Sequence, residues 1–166
     1  NLKLLHIKTN LFEKNILLFS APKKYDVVFS FGLVEHFDPL TQIIKKHLDL
    51  AKEGGYVIIG VPNIKKAFYG PLQKLINDNL SEHIHVTEAD LVNHLKKKTK
   101  IIFSGDLGIF NLYLLNIPAC RKIIHFFIRF IQNIAEKIIK ILKIRSETKI
   151  FSPYIFIIGK KYDFIR

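Results

Sequence analysis

The densest run of reactive side chains follows a short apolar stretch. Val27-Val28-Phe29-Ser30-Phe31 leads into Gly32-Leu33-Val34-Glu35-His36-Phe37. Glu35 and His36 set a carboxyl beside an imidazole, groups suited to holding or removing a proton near neutral pH. Gly32 has no Cβ, so a ligand can approach its main chain closely. A second pair, His83 and His85, flanks Ile84. On a strand these two histidines would share a face, whereas in a loop their spacing fixes nothing. No HExxH spacing, Gly-x-Gly-x-x-Gly loop or Walker A phosphate loop occurs, and no metal site is expected. No carboxylate cluster suits glycoside hydrolysis. The one cysteine, Cys120, excludes an internal disulfide and a Cys-rich zinc site, which fits a cytoplasmic protein.

The elements that must position these groups can be read from periodicity. Val27 to Phe31 is apolar without clean alternation, as in a strand buried on both faces of a parallel sheet. Asp38 is placed to cap a helix whose first residue is Pro39. Leu40, Ile43, Ile44, His47, Leu48 and Ala51 then share one helical face. Gly54-Gly55 is expected to end that helix, and Tyr56 to Val61 forms the next apolar strand, stopped by Pro62. This strand–helix–strand unit implies an α/β fold with a parallel sheet. In such sheets ligands bind beyond the C-terminal ends of strands, here Ser30 to Phe37 and Pro62-Asn63.

Downstream, Pro71 to Ile76 suggests a short helix. Thr87-Glu88-Ala89-Asp90 is a capping box opening a helix to about Lys97. Lys100 to Phe103 reads as a strand, Ser104 to Gly108 as a turn, and Pro153 to Gly159 as a last strand. Between them, Pro118 opens a long amphipathic helix to about Arg145. Arg121, Lys122, Arg129, Glu136, Lys137, Lys140 and Lys143 interrupt its apolar residues, so it does not meet the roughly 18 uncharged residues of a membrane span. Its broad apolar face suits packing in the fold, a protein partner, or a peripheral place on a membrane surface.

The chain has 166 residues, 49% of them hydrophobic, which is ample for one domain's core and excludes a disordered chain. The formal net charge of +12 comes mostly from lysine, and Ile, Lys, Asn and Phe are abundant throughout. A solvated basic surface explains this charge, and no signature of a specific nucleic-acid binder is present. Methionine is absent, and Asn1 to Lys8 reads as the middle of a longer protein, so residues 1–166 are expected to be a C-terminal part.

Two segments in tandem carry a family likeness. Lys24 to Phe37 resembles the fourth strand and following loop of class I S-adenosylmethionine-dependent methyltransferases. Leu50 to Asn63 resembles the glycine turn and fifth strand of the same family, and Ser152 to Lys161 its final strand. The likeness covers roughly Leu2 to Ile109 and Phe151 to Lys161. It implies a Rossmann-like class I methyltransferase fold, incomplete because the first two strands are missing. The sheet would be mostly parallel with an antiparallel last strand, in spatial order 3-2-1-4-5-7-6, and Leu2 to Ile7 would be its third strand. Residues 1–166 would then be the C-terminal part of the domain, with a helical insertion at about 117–145. The missing strands would carry the glycine-rich cofactor loop and the acidic residue that holds the ribose.

The resemblance further implies S-adenosylmethionine as cofactor and a small-molecule or lipid-like acceptor. Ser30, Phe31 and Gly32 would line the cofactor side, and Asn10 stands where an adenine contact is implied. Glu35 and His36 would sit near the transferable methyl, with His83 and the Tyr69 region over the acceptor. A base is needed only if the acceptor loses a proton, and His36 or His83 would serve. The alternative is a non-catalytic α/β module that works through its basic amphipathic helix.

Overall fold

A computed structural model of the chain describes residues 10–63, 69–76, 84–108, 111–112, 122–142 and 152–163. Their elements run β1 (Tyr25–Phe31), a 3-10 turn (Val34–His36), α1 (Leu40–Leu50), β2 (Ala51–Pro62), α2 (Tyr69–Ile76), α3 (Glu88–Leu95), β3 (Thr99–Leu107), α4 (Lys122–Ile141) and β4 (Tyr154–Lys161). The four strands form one sheet in the order β1-β2-β4-β3. β1 and β2 pair in parallel, with Val27 opposite Tyr56 and Phe31 opposite Gly60. β4 runs antiparallel to both neighbours, with Ile59 opposite Ile157 on one side and Ser104 opposite Ile157 on the other. Three strands therefore share a direction and only the last opposes them. This is the mixed sheet expected from the family likeness. Its order corresponds to positions 4-5-7-6 of the family sheet. The expected third strand, Leu2 to Ile7, lies outside the described residues.

The core lies on one face of this sheet. Val57, Ile59 and Val61 of β2 and Ile155 and Ile157 of β4 point to the same side, where they meet Ile43, Ile44 and Leu48 of α1 and Leu91 and Leu95 of α3. The period-2 alternation of strand side chains sends Val27, Phe29, Phe31 and Tyr56 to the other side, where they are exposed. β1 thus fills one face with Val28 and Ser30 and offers aromatic side chains on the other.

Local sequence explains most element boundaries, and three expectations change. α1 begins at Leu40, because Pro39 is extended (φ −79°, ψ 147°) and takes the N-cap position itself; no side chain caps the helix, so Asp38 lies one residue outside. α1 ends at Leu50, before Gly54-Gly55, and Ala51 is already extended. The glycines instead serve an irregularity in β2 between the pairs Tyr25–Ala51 and Val27–Tyr56. Gly54 holds φ +70°, and a Cβ there would lie 2.6 Å from Asp163 Oδ1. The strand expected over Lys100 to Phe103 runs on through Ser104-Gly105-Asp106, because these residues find ladder partners in Ile157, Phe156 and Ile155. The expected capping box is present: Thr87 Oγ1 accepts the Asp90 N–H (3.2 Å), and Asp90 Oδ2 accepts the Thr87 N–H (2.9 Å).

The C-terminus of α1 is satisfied by a distant side chain. Lys161 Nζ donates to the carbonyls of Leu48 (3.0 Å) and Ala51 (3.2 Å) and pairs with Glu53 (2.9 Å). It supplies both the donor and the positive charge that a helix C-terminus favours. Lys161→Met is expected to lower unfolding free energy by about 1–3 kcal/mol, the cost of leaving such acceptors unpaired. An unchanged denaturant midpoint would show that water replaces the ammonium without loss.

Candidate functional site

At the C-terminal end of β1 the chain turns sharply. Gly32 takes φ +65°, a left-handed conformation that glycine adopts without strain, while its N–H still donates to Gly60 O (2.9 Å). The Val34–His36 turn follows and divides the acid–imidazole pair. Glu35 is buried, whereas His36 is exposed, so neighbours in sequence face different surroundings. Glu35 Oε1 lies 3.5 Å from where a Cβ on Gly32 would be, and its Oε2 is buried with no hydrogen-bond partner. Burial raises the Glu35 carboxyl above its ordinary range, partly opposed by its own main-chain N–H and by His36. The Glu35 carbonyl accepts the Ile84 N–H (2.9 Å), which ties the segment before α3 to this turn. His83 lies outside the described residues, and His85 is exposed.

The three residues expected on the cofactor side point in different directions. Ser30 Oγ donates to His47 Nε2 (2.8 Å), inside the core beneath α1. His47 Nδ1–H donates to Ile43 O (2.8 Å), and in the neutral ring that burial favours, Nε2 accepts from Ser30. Burial accordingly holds its pKa below the usual value, against the Ile43 hydrogen bond. The sequence marks His47 only as one position of an apolar stripe; a serine on a buried strand facing that stripe was the available signal. Phe31 lies on the opposite, uncovered face, with its ring 5.4 Å from Phe29 and 5.3 Å from Phe156. Gly32 is exposed at the turn, and Asn10 is exposed at the start of the described chain.

A second polar cluster stands at the end of β2. Asn63 is buried; its amide donates to Ser152 O (3.0 Å) and Asp106 Oδ1 (3.4 Å), and its main-chain N–H donates to Pro153 O (2.7 Å). Tyr69 is fully buried and its hydroxyl accepts the Asn111 N–H (3.0 Å), with burial raising the phenol's pKa. Gln132 is buried as well, its Oε1 accepting the Leu112 N–H (2.8 Å) and its Nε2 donating to Glu136 (2.9 Å). A cavity of about 350 Å³ opens beside this cluster, lined by Gly108, Asn111, Gln132, Glu136, Pro153 and Tyr154, among others. Nothing in the sequence marks Gln132, and only its position on the inward side of α4 gives it this role. Among the described residues, no group of three or more His, Cys, Asp or Glu could hold a metal ion.

No protein-family model matches the sequence, and no curated protein does. Solved structures do match. One is a SAM-dependent methyltransferase from Archaeoglobus fulgidus, at 23% identity and a TM-score of 0.55, with 93% of this chain and 68% of that one aligned. Another is an S-adenosylmethionine-dependent methyltransferase from Clostridium acetobutylicum, at 12% identity and a TM-score of 0.55, with 96% of this chain and 68% of that one aligned. A third is an O-methyltransferase family protein from Burkholderia thailandensis, at 14% identity and a TM-score of 0.51, covering 93% of this chain but only 36% of that one. Two further matched chains are covered to 52% and 58%, so this chain is considerably shorter than the structures it matches. At these identities the likeness is one of fold. The chain has a mixed α/β sheet with an antiparallel last strand, in the topology of Rossmann-like class I methyltransferases.

Proposed function

We propose that residues 1–166 are the C-terminal part of a methyltransferase domain that transfers a methyl group from S-adenosylmethionine to a small-molecule or lipid-like acceptor. The observation that carries this reading is topological: strands in the order β1-β2-β4-β3 with only β4 reversed, and a left-handed glycine directly after β1. The solved methyltransferases of the same topology support it.

The residues present fit one wall of a site for that cofactor. Gly32 offers exposed main chain bordered by Glu35 Oε1, the exposed Phe31 ring offers a flat apolar surface, and Glu35 Oε2 is a buried acceptor without a donor. When bound, S-adenosylmethionine supplies an electrophilic methyl on a positively charged sulfur. The chain's contribution is orientation and proton handling. Ionised Glu35 takes an acceptor proton, and its burial places its pKa nearer the working range of a base. Exposed His36 and, by the family likeness, His83 remain the alternative bases. Ser30 contributes by fixing α1 against β1 through His47, which holds the turn carrying Gly32 in place.

The test separates the chain from the whole domain. Calorimetry of residues 1–166 with S-adenosylmethionine should show no saturable heat, because the sequence holds no glycine-rich cofactor loop. The protein at its full natural length should bind in the micromolar range and release S-adenosylhomocysteine when offered a suitable acceptor. Failure of the full-length protein to bind the cofactor would overturn the reading and favour a non-catalytic module.

A further inference from the structure

We propose that α4 is an interfacial anchor that seats the protein on a membrane surface bearing anionic lipid. At about 100° per residue, its side chains separate into three stripes. Ile124, Ile128, Ala135 and Ile139 are half-buried on the side turned to the body, and Gln132 is fully buried among them and bonded to the Leu112 main chain. On the opposite side Phe126, Phe127, Phe130, Ile131, Ile134 and Ile138 are all between 42% and 68% exposed, and Ile123, Ile141 and Leu142 extend the same arc at the helix ends. The third stripe, between the inward side and the apolar arc, carries Glu136, Arg129 and Lys140, and Lys137 falls at the near edge of the arc between Phe126 and Phe130.

The apolar arc therefore spans roughly 160° of the helix circumference and about 30 Å of its length. A helix that only packed on its own domain would turn those residues inward; here the inward stripe is occupied by others. Isolated surface apolar residues need no explanation, but a continuous row does. Among the described residues no helix is long and apolar enough to cross a membrane, so the geometry is that of a helix lying in the interface plane.

Charge selects the occupant. α4 carries Lys122, Arg129, Lys137 and Lys140 against one acid, Glu136, within a chain of net charge +12. A second copy would bring the same positive charge to the arc and be repelled. An anionic bilayer surface offers hydrocarbon at the depth of the arc and negative headgroups at the level of the basic stripe. The cavity beside Gln132 and Tyr154 borders the same helix, so docking would hold it close to the lipid.

Co-sedimentation of the full-length natural protein with vesicles tests this. Phosphatidylcholine vesicles containing phosphatidylserine should carry the protein down, and pure phosphatidylcholine should do so far less. Each basic residue removed should weaken binding about fivefold, so R129Q/K137Q/K140Q should lose on the order of 100-fold. F130Q/I134Q should abolish binding while leaving the unfolding transition in place, since both residues are exposed. Should either variant fail to fold, the wild-type protein still decides the matter, because raised salt must weaken its binding. Failure to bind phosphatidylserine vesicles would overturn the proposal. So would lipid-independent self-association, in analytical ultracentrifugation, that F130Q/I134Q disrupts.

Discussion

Glu35→Gln is expected to lower methyl transfer by the full-length protein on the order of 10²–10⁴-fold, and at the same time to make the protein harder to unfold at neutral pH. Both effects follow from one carboxyl. Burial raises its pKa in the folded protein above the ordinary 4.5, and Oε2 has no donor to repay that cost. A group with a raised folded pKa stabilises fully below its unfolded value and loses that contribution as pH rises through its folded value. At neutral pH the ionised carboxylate is therefore a burden on the fold that the amide does not carry. Urea midpoints should favour the variant at neutral pH, and the difference should vanish below pH 4.5. His47 acts in the opposite sense: its lowered pKa gives stability above 6.5 that is lost as pH falls. That term is common to both proteins and cancels in the difference. A variant destabilised at neutral pH would mean that the carboxylate is paired. Undiminished activity would remove Glu35 from the proton-handling role.

How much of this could be read from residues alone depends on the range of the interaction involved. The β1–α1–β2 unit was legible because apolar strands and a helical stripe are local patterns, and its parallel pairing follows from the crossover helix. The capping box at Thr87 was legible for the same reason. Where a boundary depended on a distant partner, the sequence misled. The end of α1 is set by Lys161, more than a hundred residues away, and Gly54-Gly55 next to it serves the strand instead. The turn expected at Ser104-Gly105-Asp106 is a strand because β4 supplies its ladder. The site shows the same division. Gly32 and Glu35 were visible by residue type, but sequence adjacency did not separate buried Glu35 from exposed His36. Nor did it join Ser30 to His47 across 17 positions.

The one-sided core leads to the second large effect, a contrast between two strand residues. Ile157→Ala should cost about 2–5 kcal/mol of unfolding free energy, whereas Phe29→Ala in the same chain should cost less than about 1 kcal/mol. Ile157 is fully buried between α1, α3 and its strand neighbours, so truncation removes apolar burial and leaves a cavity. Phe29 is the larger side chain, yet it is 64% exposed on the opposite face and gives up little buried surface. Size alone would rank the two the other way; sheet face decides. Doubly wound sheets carry helices on both faces, and here α1 and α3 pack on one face while Val27, Phe29 and Phe31 stay exposed on the other. If the missing cover belongs to further sequence of the same domain, Phe29→Ala should become costly in the full-length protein, rising toward the about 3–5 kcal/mol of a buried phenylalanine. Denaturant titration of both variants in both lengths of chain reads this directly. A Phe29→Ala cost that stays small in the longer protein would mean that the Val27–Phe29–Phe31 face is open in the intact molecule.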